Sequence, residues 1–441
     1  MKRLLSLLLC AVLALFCATT AQAAGVSITL TASEYALHYA FDAGAQDPFV
    51  ILEYTTPAEK GWMMLYSEDG HFEGDVSLAY SGAGGKTSVA LTSARTTGSI
   101  GKASTTLPKA ADYQKPTGKS NAKVMDFVLT ETPEGFHYAF NAAGTDYMLL
   151  YWRSKEQTVT QPVYPDENGH YEGDVISDLT FARTQFTVQV KSGSGSMKKE
   201  ATVRKGYQAP EAPQRQEGRL SGVTVCIDAG HQENGHFVNE PIGPGLTGST
   251  SGKGGMAQGT KTNRRESIVC LEIGMLLRDE LLRQGANVIM TREDQTTFHT
   301  NIERCEIAEA GGAQIMLRLH CNNSSNRSKR GIQVYGPLNS DYAKAVADAD
   351  TYREMGQKLL DAMKTRVGMT LANSTGMVRL NDNYVGNNWA KMMCFLVEMG
   401  YLSNPAEEYL LVTPVYQQWL AEGMADGVYE IAVARGWVQA Q

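Results

Sequence analysis

Two stretches in the N-terminal half of the chain repeat one another at a constant spacing. LTASEYALHYAFDAG, which begins at Leu30, matches LTETPEGFHYAFNAAG, which begins at Leu129, and GHFEGDV matches GHYEGDV further along. Each copy alternates short apolar and polar runs with turn-rich breaks such as SEDGH and DENGH, which is typical of antiparallel strands. We therefore expect two tandem, small, all-β, sandwich-like modules, at residues 24–107 and 120–206.

The two copies also place histidines at equivalent positions. His38 matches His137, and His71 matches His170. The recurrence fits either repeated ligand contacts or a structural role in each module, and we favour the structural role. Neither copy contains a catalytic constellation, so the modules are expected to bind a surface polymer or to act as spacers.

The sequence pattern changes after a proline-containing segment at residues 207–219, which we interpret as an extended linker. Beyond it, predicted strands such as VTVCID, ANVIMTR, QIMLRLH and MCFLVEMG alternate with helical stretches. One helical stripe is formed by Val269, Ile273, Leu276, Leu277 and Leu281. Strands that alternate with helices predict an α/β domain, here at residues 220–441, with a mostly parallel sheet flanked by helices.

The N-terminus has the organisation of a secretory signal peptide. Two basic residues precede an apolar run from Leu4 to Phe16, and the sequence AQA ends at Ala23, so we expect a leader at residues 1–23. An uncleaved anchor is the alternative, although the run is short for a bilayer span. No other long apolar segment occurs, so the mature protein is expected to be secreted or held in the cell envelope, without an integral membrane segment.

Composition argues against two classes of protein. The formal net charge is −7, whereas nucleic-acid-binding proteins normally carry a basic patch or stripe, so no nucleic-acid partner is expected. Five cysteines would remain after removal of the leader, an odd number without a CxxC pair, which argues against a disulfide framework. Buried thiols are the expected state of Cys226, Cys270, Cys305, Cys321 and Cys394.

Four metal-capable side chains lie where predicted elements of the α/β domain begin or end. His231 follows the first strand, His320 ends the strand QIMLRLH, Glu398 lies late in the last strand, and Glu266 opens a helix. In α/β sheets such strand ends gather at one edge and form sites. Two histidines, a carboxylate and an open position fit a catalytic zinc, which lowers the pKa of bound water to about 7. From these residues alone, unrelated polar side chains at strand ends remain the alternative.

The motifs IDAGHQ, RRES, RLHCNN and LVEMGYLSN, in this order, resemble the catalytic domain of zinc-dependent N-acetylmuramoyl-L-alanine amidases of the Amidase_3 type. VIMTREDQT and NIERCEIAEAGGA resemble the same family, and the resemblance runs from about Gly222 to the C-terminus. It implies that His231, Glu266 and His320 bind Zn²⁺ and that Glu398 is the catalytic carboxylate. The implied substrate is peptidoglycan, at the amide between N-acetylmuramic acid and L-alanine of the stem peptide.

The chain departs from this family pattern at two places near the site. Arg318 replaces a serine found in many members, and a long loop follows His231. Arg318 is expected either to hold a stem-peptide carboxylate or to form a structural salt bridge, and Asn322 to orient a ligand or contact substrate. We interpret His236 and His299 as solvated loop histidines rather than ligands.

Asp228, near the end of the first strand, is expected to stabilise the turn or to orient the imidazole of His231. Two other functions stay open beside the amidase. One is a zinc peptidase acting on wall peptides, and the other is a non-catalytic wall-binding or adhesion protein.

Overall fold

The structure is a computed structural model, and it falls into two compact units, the first ending at residue 204 and the second starting at residue 210. The described residues are 18–22, 25–45, 47–120, 122–132, 135–154, 157–176, 185–204, 210–232, 238–250, 256–367 and 377–440. Most of the expected leader therefore lies outside the described residues, and its last part, Ala18–Gln22, forms a strand.

The first unit is built from antiparallel β-strands. Its strands are β1 (Ala18–Gln22), β2 (Ser27–Ala32), β3 (Ala36–Asp42), β4 (Phe49–Thr55), β5 (Glu59–Tyr66), β6 (His71–Ser77), β7 (Gly85–Ser93), β8 (Ser99–Leu107), β9 (Val124–Thr132), β10 (Gly135–Ala142), β11 (Met148–Arg153), β12 (Gln157–Val163), β13 (His170–Ile176), β14 (Gln185–Lys191) and β15 (Met197–Arg204). They form three sheets, with the orders β1-β2-β3-β6, β13-β10-β9 and β15-β14-β11-β12-β5-β4-β7-β8. The expected β-strand character of the N-terminal region is confirmed.

The repeated motifs form equivalent strand pairs, β3 with β6 and β10 with β13. A Cβ atom on Gly74 would lie 2.7 Å from the hydroxyl oxygen of Tyr39, and one on Gly173 would lie 2.8 Å from that of Tyr138. Each repeat thus keeps a glycine because a tyrosine of the neighbouring strand covers it. This close packing explains why HYAF and the segment GDV occur together in both copies.

The two repeats share one continuous sheet. Strand β12 of the second repeat pairs with β5 of the first, with Gln157 opposite Gly61. The side-chain amide of Gln157 donates to Glu59 Oε2 at 3.1 Å, and burial raises the pKa of Glu59. The fully buried Trp152 packs edge-on against Tyr80, at 5.7 Å between ring centroids. The repeats are therefore joined by backbone pairing and by side-chain packing.

The second unit contains helices around a six-stranded sheet. Its elements are β16 (Thr224–Ala229), α1 (Glu266–Arg283), β17 (Asn287–Met290), α2 (Asn301–Ala310), β18 (Ile315–Asn322), β19 (Gln333–Gly336), α3 (Asp341–Val346), α4 (Ala349–Val367), β20 (Met377–Leu380), α5 (Val385–Trp389), β21 (Met393–Tyr401), α6 (Pro405–Leu411) and α7 (Pro414–Ala434). The sheet order is β17-β16-β18-β21-β19-β20. Its strands pair in parallel except for β19 with β21, so the sheet is mixed.

The centre of this sheet is buried on both faces. All nine residues of β21 are buried, which is why this strand reads as a near-continuous apolar run rather than an alternating one. Close packing of α7 on α4 depends on small residues, since a Cβ on Gly423 would lie 2.7 Å from Met363 Cα. Part of the segment predicted as a linker also packs here, because the backbone N–H of Gln216 donates to Leu282 O.

The five cysteines of the second unit are free and buried, which confirms the expected buried thiols. In the part of the chain that the structure describes, no helix combines the length and apolar character needed to cross a membrane.

Candidate metal centre

The first candidate ligand, His231, lies two residues beyond the end of β16 and has a left-handed backbone with φ of 59°. The preceding Gly230 is required by close approach, since a Cβ there would lie 2.4 Å from Leu319 O and 2.6 Å from His320 Cε1. The bend at the end of β16 thus depends on two residues. Gly230 allows the strands to approach, and His231 makes the left-handed turn.

Two guanidinium groups stabilise this turn by donating hydrogen bonds to the carbonyl oxygens of three consecutive residues. Arg292 donates to the carbonyls of Ala229 at 2.7 Å and Gly230 at 2.9 Å. Arg304 donates to the carbonyls of Ala229 at 2.9 Å and His231 at 3.0 Å. A non-glycine residue in the left-handed region costs on the order of 1–3 kcal/mol, and these contacts offset that strain.

Glu266, the first residue of α1, connects the two histidines. Its Oε1 atom lies 3.0 Å from His231 Nε2 and 2.9 Å from His320 Nδ1. Its Oε2 atom accepts from the backbone N–H of Ala257 at 2.7 Å. Burial opposes ionisation, but the charge of His231 and the hydrogen bonds of His231 and His320 hold the pKa of Glu266 well below its usual value. The carboxylate is therefore ionised, as a ligand must be.

The three side chains form a compact donor set. One ligand atom from each of His231, Glu266 and His320 lies within 4.8 Å of the others, and within the described ranges no other group of three converges in this way. Burial lowers the pKa of His320, which favours the neutral imidazole that metals bind. Its Nε2 atom is buried without a hydrogen-bond partner among the described residues. A metal ion fits this donor set, because two imidazoles and an ionised carboxylate each offer one ligand atom within reach of a single ion.

Glu398 is positioned by β-sheet register. It lies opposite His320 in the parallel pairing of β18 with β21, so both side chains leave the same face of the sheet. Burial, and then the charge of Glu266, raise the pKa of Glu398 to about 8. Its Oε2 atom is buried without a hydrogen-bond partner in the described part of the chain. The structure thus brings together all four residues singled out from the sequence.

Arg318 and Asp228 form a buried ion pair beneath the site. Arg318 Nε donates to Asp228 Oδ2 at 2.9 Å, and its Nη2 donates to Asn301 Oδ1 at 2.7 Å. Asp228 is fully buried and also binds Arg304 and Thr291. Of the two roles expected for Arg318, these contacts correspond to the structural salt bridge. A contact of Arg318 with a stem-peptide carboxylate stays a prediction. Asp228 acts on the turn of His231 through Arg304.

Two loop histidines and Asn322 were also considered from the sequence. His299 is half-buried and its backbone carbonyl accepts from Arg304, whereas His236 lies outside the described residues. Asn322 donates to Gln333 Oε1 at 3.1 Å, and a substrate contact for it stays a prediction.

Sequence reasoning missed the side chains that β19 brings to the site. Gln333 lies opposite Glu398, and Tyr335 donates its hydroxyl to Gln333 Oε1 at 2.6 Å. The ring of Tyr384 lies 5.0 Å from that of Tyr335. The alternation of Gln333 and Tyr335 in GIQVYG indicated that both side chains share one face of a strand. The antiparallel register that places Gln333 beside Glu398 is a tertiary feature and is not visible in that motif.

Comparison with known proteins finds relatives over about half of this chain. A family model described as N-acetylmuramoyl-L-alanine amidase matches residues 225–430. The germination-specific N-acetylmuramoyl-L-alanine amidase of Bacillus subtilis (strain 168) is 26% identical over 231 residues, covering 49% of this chain and 83% of that protein. The probable cell wall amidase LytH of Staphylococcus aureus is 27% identical over 218 residues, covering 48% of this chain and 60% of that protein.

Solved structures match a similar share of the chain. The N-acetylmuramoyl-L-alanine amidase from Clostridium difficile 630 is 24% identical, with a TM-score of 0.38, and the match covers 48% of this chain and 96% of that one. Ami1 from Mycobacterium abscessus is 19% identical, with a TM-score of 0.42, covering 48% and 99% respectively. His231, Glu266, His320 and Glu398 lie within the matched range. Residues 225–430 are a domain of the Amidase_3 family of N-acetylmuramoyl-L-alanine amidases.

Proposed function

We propose that this chain is an exported peptidoglycan hydrolase that cleaves the amide between N-acetylmuramic acid and L-alanine of the stem peptide. The convergence of His231, Glu266 and His320, with Glu398 in register beside them, carries the proposal. Membership of residues 225–430 in the amidase family supports the choice of bond.

The donor set of two histidines and one carboxylate is suited to zinc, and His231, Glu266 and His320 would hold it. Zinc would supply Lewis-acid polarisation of the scissile carbonyl and a water of lowered pKa. His231 is the most accessible of the three ligands, with 23% of its side chain exposed against 4% for Glu266. We therefore expect substrate to approach from the His231 side.

Glu398 would move the proton. It would take a proton from the attacking water and deliver it to the L-alanine nitrogen as the C–N bond breaks, which leaves a carboxylate on the glycan and an amine on the peptide. A group that serves as base and then as acid works best when its pKa lies near the working pH, and burial raises the pKa of Glu398 in that direction. A bound cation would lower this pKa again.

Product analysis separates this proposal from its alternatives. Purified peptidoglycan is digested with the full chain, and the released material is analysed by mass. An amidase frees peptides with L-alanine at the N-terminus, whereas a peptidase leaves L-alanine on the sugar. Binding to the wall without any released peptide would favour a non-catalytic wall-binding protein.

We also propose that the chain is exported by the leader at residues 1–23. N-terminal sequencing of the mature protein should begin at Ala24, and a mature protein that retains Lys2 would contradict the proposal. Cleavage there would remove β1 from the edge of its sheet. Binding of a surface polymer by the N-terminal region is proposed as its role, and the alternative is a spacer.

A further inference from the structure

The first unit contains an open cleft of about 730 Å³ on the exposed face of its eight-stranded sheet. The cleft extends across β8, β7, β4 and β5 of the first repeat and reaches β12 of the second, so both repeats line it. Backbone register defines its floor. One row of facing residues consists of Trp62, Glu53, Ala90 and Lys102, and the next consists of Lys60, Thr55, Ser88 and Ser104.

The cleft has a flat floor and a positive rim. Small residues, among them Gly61, Ser88 and Ala90, leave space above the sheet, and the half-buried Trp62 stands at one side. Lys60, Lys86 and Lys102 are exposed and line the same cleft. Among the residues that the structure describes, none of these three lysines has an ion-pair partner. Glu53 is the one carboxylate among the described residues that line the cleft, so the cleft has a net positive charge, although the net charge of the chain is −7.

The second repeat provides an internal comparison for this face. In the second repeat Thr160 lies opposite Tyr151, whereas the equivalent pair in the first repeat is Trp62 and Glu53. Likewise, Glu200 lies opposite Gln189 in the second repeat, whereas the first repeat pairs Lys102 with Ala90. By the same register, Thr158 replaces Lys60 and Gln185 replaces Lys86.

Equivalent buried positions, unlike the exposed ones, carry similar residues in the two repeats. Tyr54 and Trp152, which are equivalent, are both large buried aromatics, and Val89 and Val188 are both buried valines. At these exposed positions the first repeat thus has Trp62 and three lysines where the second repeat has threonine, glutamine or glutamate, so the fold does not require this face to be basic. This points to a ligand rather than to packing.

We propose that this cleft binds a glycan strand that carries carboxylates. A tryptophan beside a flat floor of small residues suits a sugar ring, whose apolar C–H face packs on an aromatic ring. Lysine ammonium groups supply point charges for carboxylates, and Glu53 can accept hydrogen bonds from sugar hydroxyls. Pairing of the strands fixes the backbone positions of these residues, which limits the ordering of the backbone required on binding.

The identity of the glycan rests on the proposed function. Hydrolysis of the muramoyl amide adds water across the C–N bond, so each cleaved site leaves a lactyl carboxylate on the sugar and an amine on the peptide. The glycan left behind therefore gains one negative charge at every cleaved muramoyl residue. The cleft is complementary to that polymer, and it would hold the chain on wall that has already been processed.

The test uses the full chain with Glu398→Gln, so that the polymer is not altered during binding. Peptide-free glycan strands with lactyl carboxylates are compared with the same strands after reduction of those carboxylates to alcohols. We expect the reduced glycan to bind about tenfold more weakly or worse, which corresponds to several exposed ion pairs of at most about 1 kcal/mol each. Binding to the carboxylate form should weaken as salt is added. Equal binding of both forms would overturn the proposal.

Two sets of substitutions locate the binding. The triple variant Lys60→Gln, Lys86→Gln, Lys102→Gln should lose about tenfold in affinity, and Trp62→Ala should also weaken binding. The triple variant Lys115→Gln, Lys119→Gln, Lys123→Gln removes the same charge from exposed lysines outside the cleft and should bind normally. Equal loss in both triple variants would mean that only net charge matters, and would refute the site.

A third polymer and a separate assay distinguish the remaining outcomes. Tighter binding to poly(glycerol phosphate) than to the carboxylate glycan would overturn the choice of ligand. Cleavage of a soluble muramoyl-L-alanine peptide by the unsubstituted chain is measured independently. Absence of that cleavage would refute the proposed function, whereas loss of selective glycan binding alone would refute only the role of the cleft.

Discussion

Glu398 on β21 stands directly opposite His320 on β18, in the register of two parallel strands. Neighbouring strands lie about 4.8 Å apart, so the backbone pairing fixes the separation of the two side chains at their base. Both Glu398 Oε2 and His320 Nε2 are buried without hydrogen-bond partners among the described residues. The sheet therefore holds a carboxyl group and a candidate ligand side by side, with one polar atom of each available to something other than the protein.

Replacement of Glu398 should separate catalysis from metal binding. Glu398→Gln removes the group that transfers the proton but keeps the shape of the side chain, so kcat on a muramoyl-L-alanine peptide should fall by about 10²–10⁴-fold. Metal content should stay at the unsubstituted level, because Glu398 is outside the donor set of three. Glu354→Gln, on the exposed side of α4, is the matched control. Near-native turnover of Glu398→Gln would show that another group moves the proton.

Zinc should stabilise the second unit as well as activate it. A ligand present at 100 times its Kd adds about 2.7 kcal/mol to the free energy of unfolding, so the metal-free chain should melt at a lower temperature than the zinc-loaded chain. His231→Ala should abolish this difference, since it removes one of three converging donors. Metal analysis and thermal melting with and without a chelator measure the effect. A full zinc-dependent shift in His231→Ala would exclude that histidine as a ligand.

Arg304 should affect metal binding although it is outside the donor set. It binds the carbonyl of His231 and the buried carboxylate of Asp228. Removal of one partner from a buried ion pair typically costs about 3–5 kcal/mol, so Arg304→Ala should destabilise the second unit strongly. Arg353→Ala breaks an exposed pair with Asp350 and should cost about 1 kcal/mol or less.

A metal titration at a temperature where both arginine variants are folded tests the positioning role. The affinity of Arg304→Ala for zinc should fall about tenfold or more, because the turn of His231 is no longer held. Unchanged affinity in a folded Arg304→Ala chain would reduce the role of Arg304 to stability alone.

Stability of the second unit should depend on the ionisation of Glu407. This buried carboxyl group accepts from the backbone N–H groups of Tyr401 and Gly331, and burial raises its pKa to about 7. Between the unfolded pKa of about 4.3 and the folded value, the folded chain keeps a proton that the unfolded chain releases. The contribution of Glu407 to the free energy of unfolding should therefore decrease as the pH rises through this window, and level off above it.

Denaturant unfolding at pH 5 and pH 8 checks this sign. Glu407→Gln cannot ionise, so the decrease attributable to this residue should disappear, whatever constant offset the substitution adds. The exposed Glu354→Gln should keep the pH dependence of the unsubstituted chain. An unchanged pH dependence in Glu407→Gln would assign the effect to other groups.

Much of the catalytic unit could be predicted because its signals are local. The apolar run of β21 and the position of Glu266 at the start of α1 follow from hydrophobic pattern and from the order of elements. His231 and His320 are candidates on the order of elements alone, because the ends of parallel strands converge at one sheet edge. The antiparallel pairing of β19 with β21 was not predictable in this way, and with it the approach of Gln333 to Glu398 was missed.

The repeated β-strand pattern, the change to alternating strands and helices, and the four candidate site residues are all readable from short-range periodicity or from motifs. The surroundings of these residues depend on tertiary contacts. Register brought Glu398 beside His320, and burial then raised the pKa of that carboxyl group. Pairing of β5 with β12 joined the two repeats into one sheet, and the basic cleft lies on the exposed face of that sheet. Distances across a sheet and the loss of solvent are set by residues far apart in the chain, and no local pattern contains them.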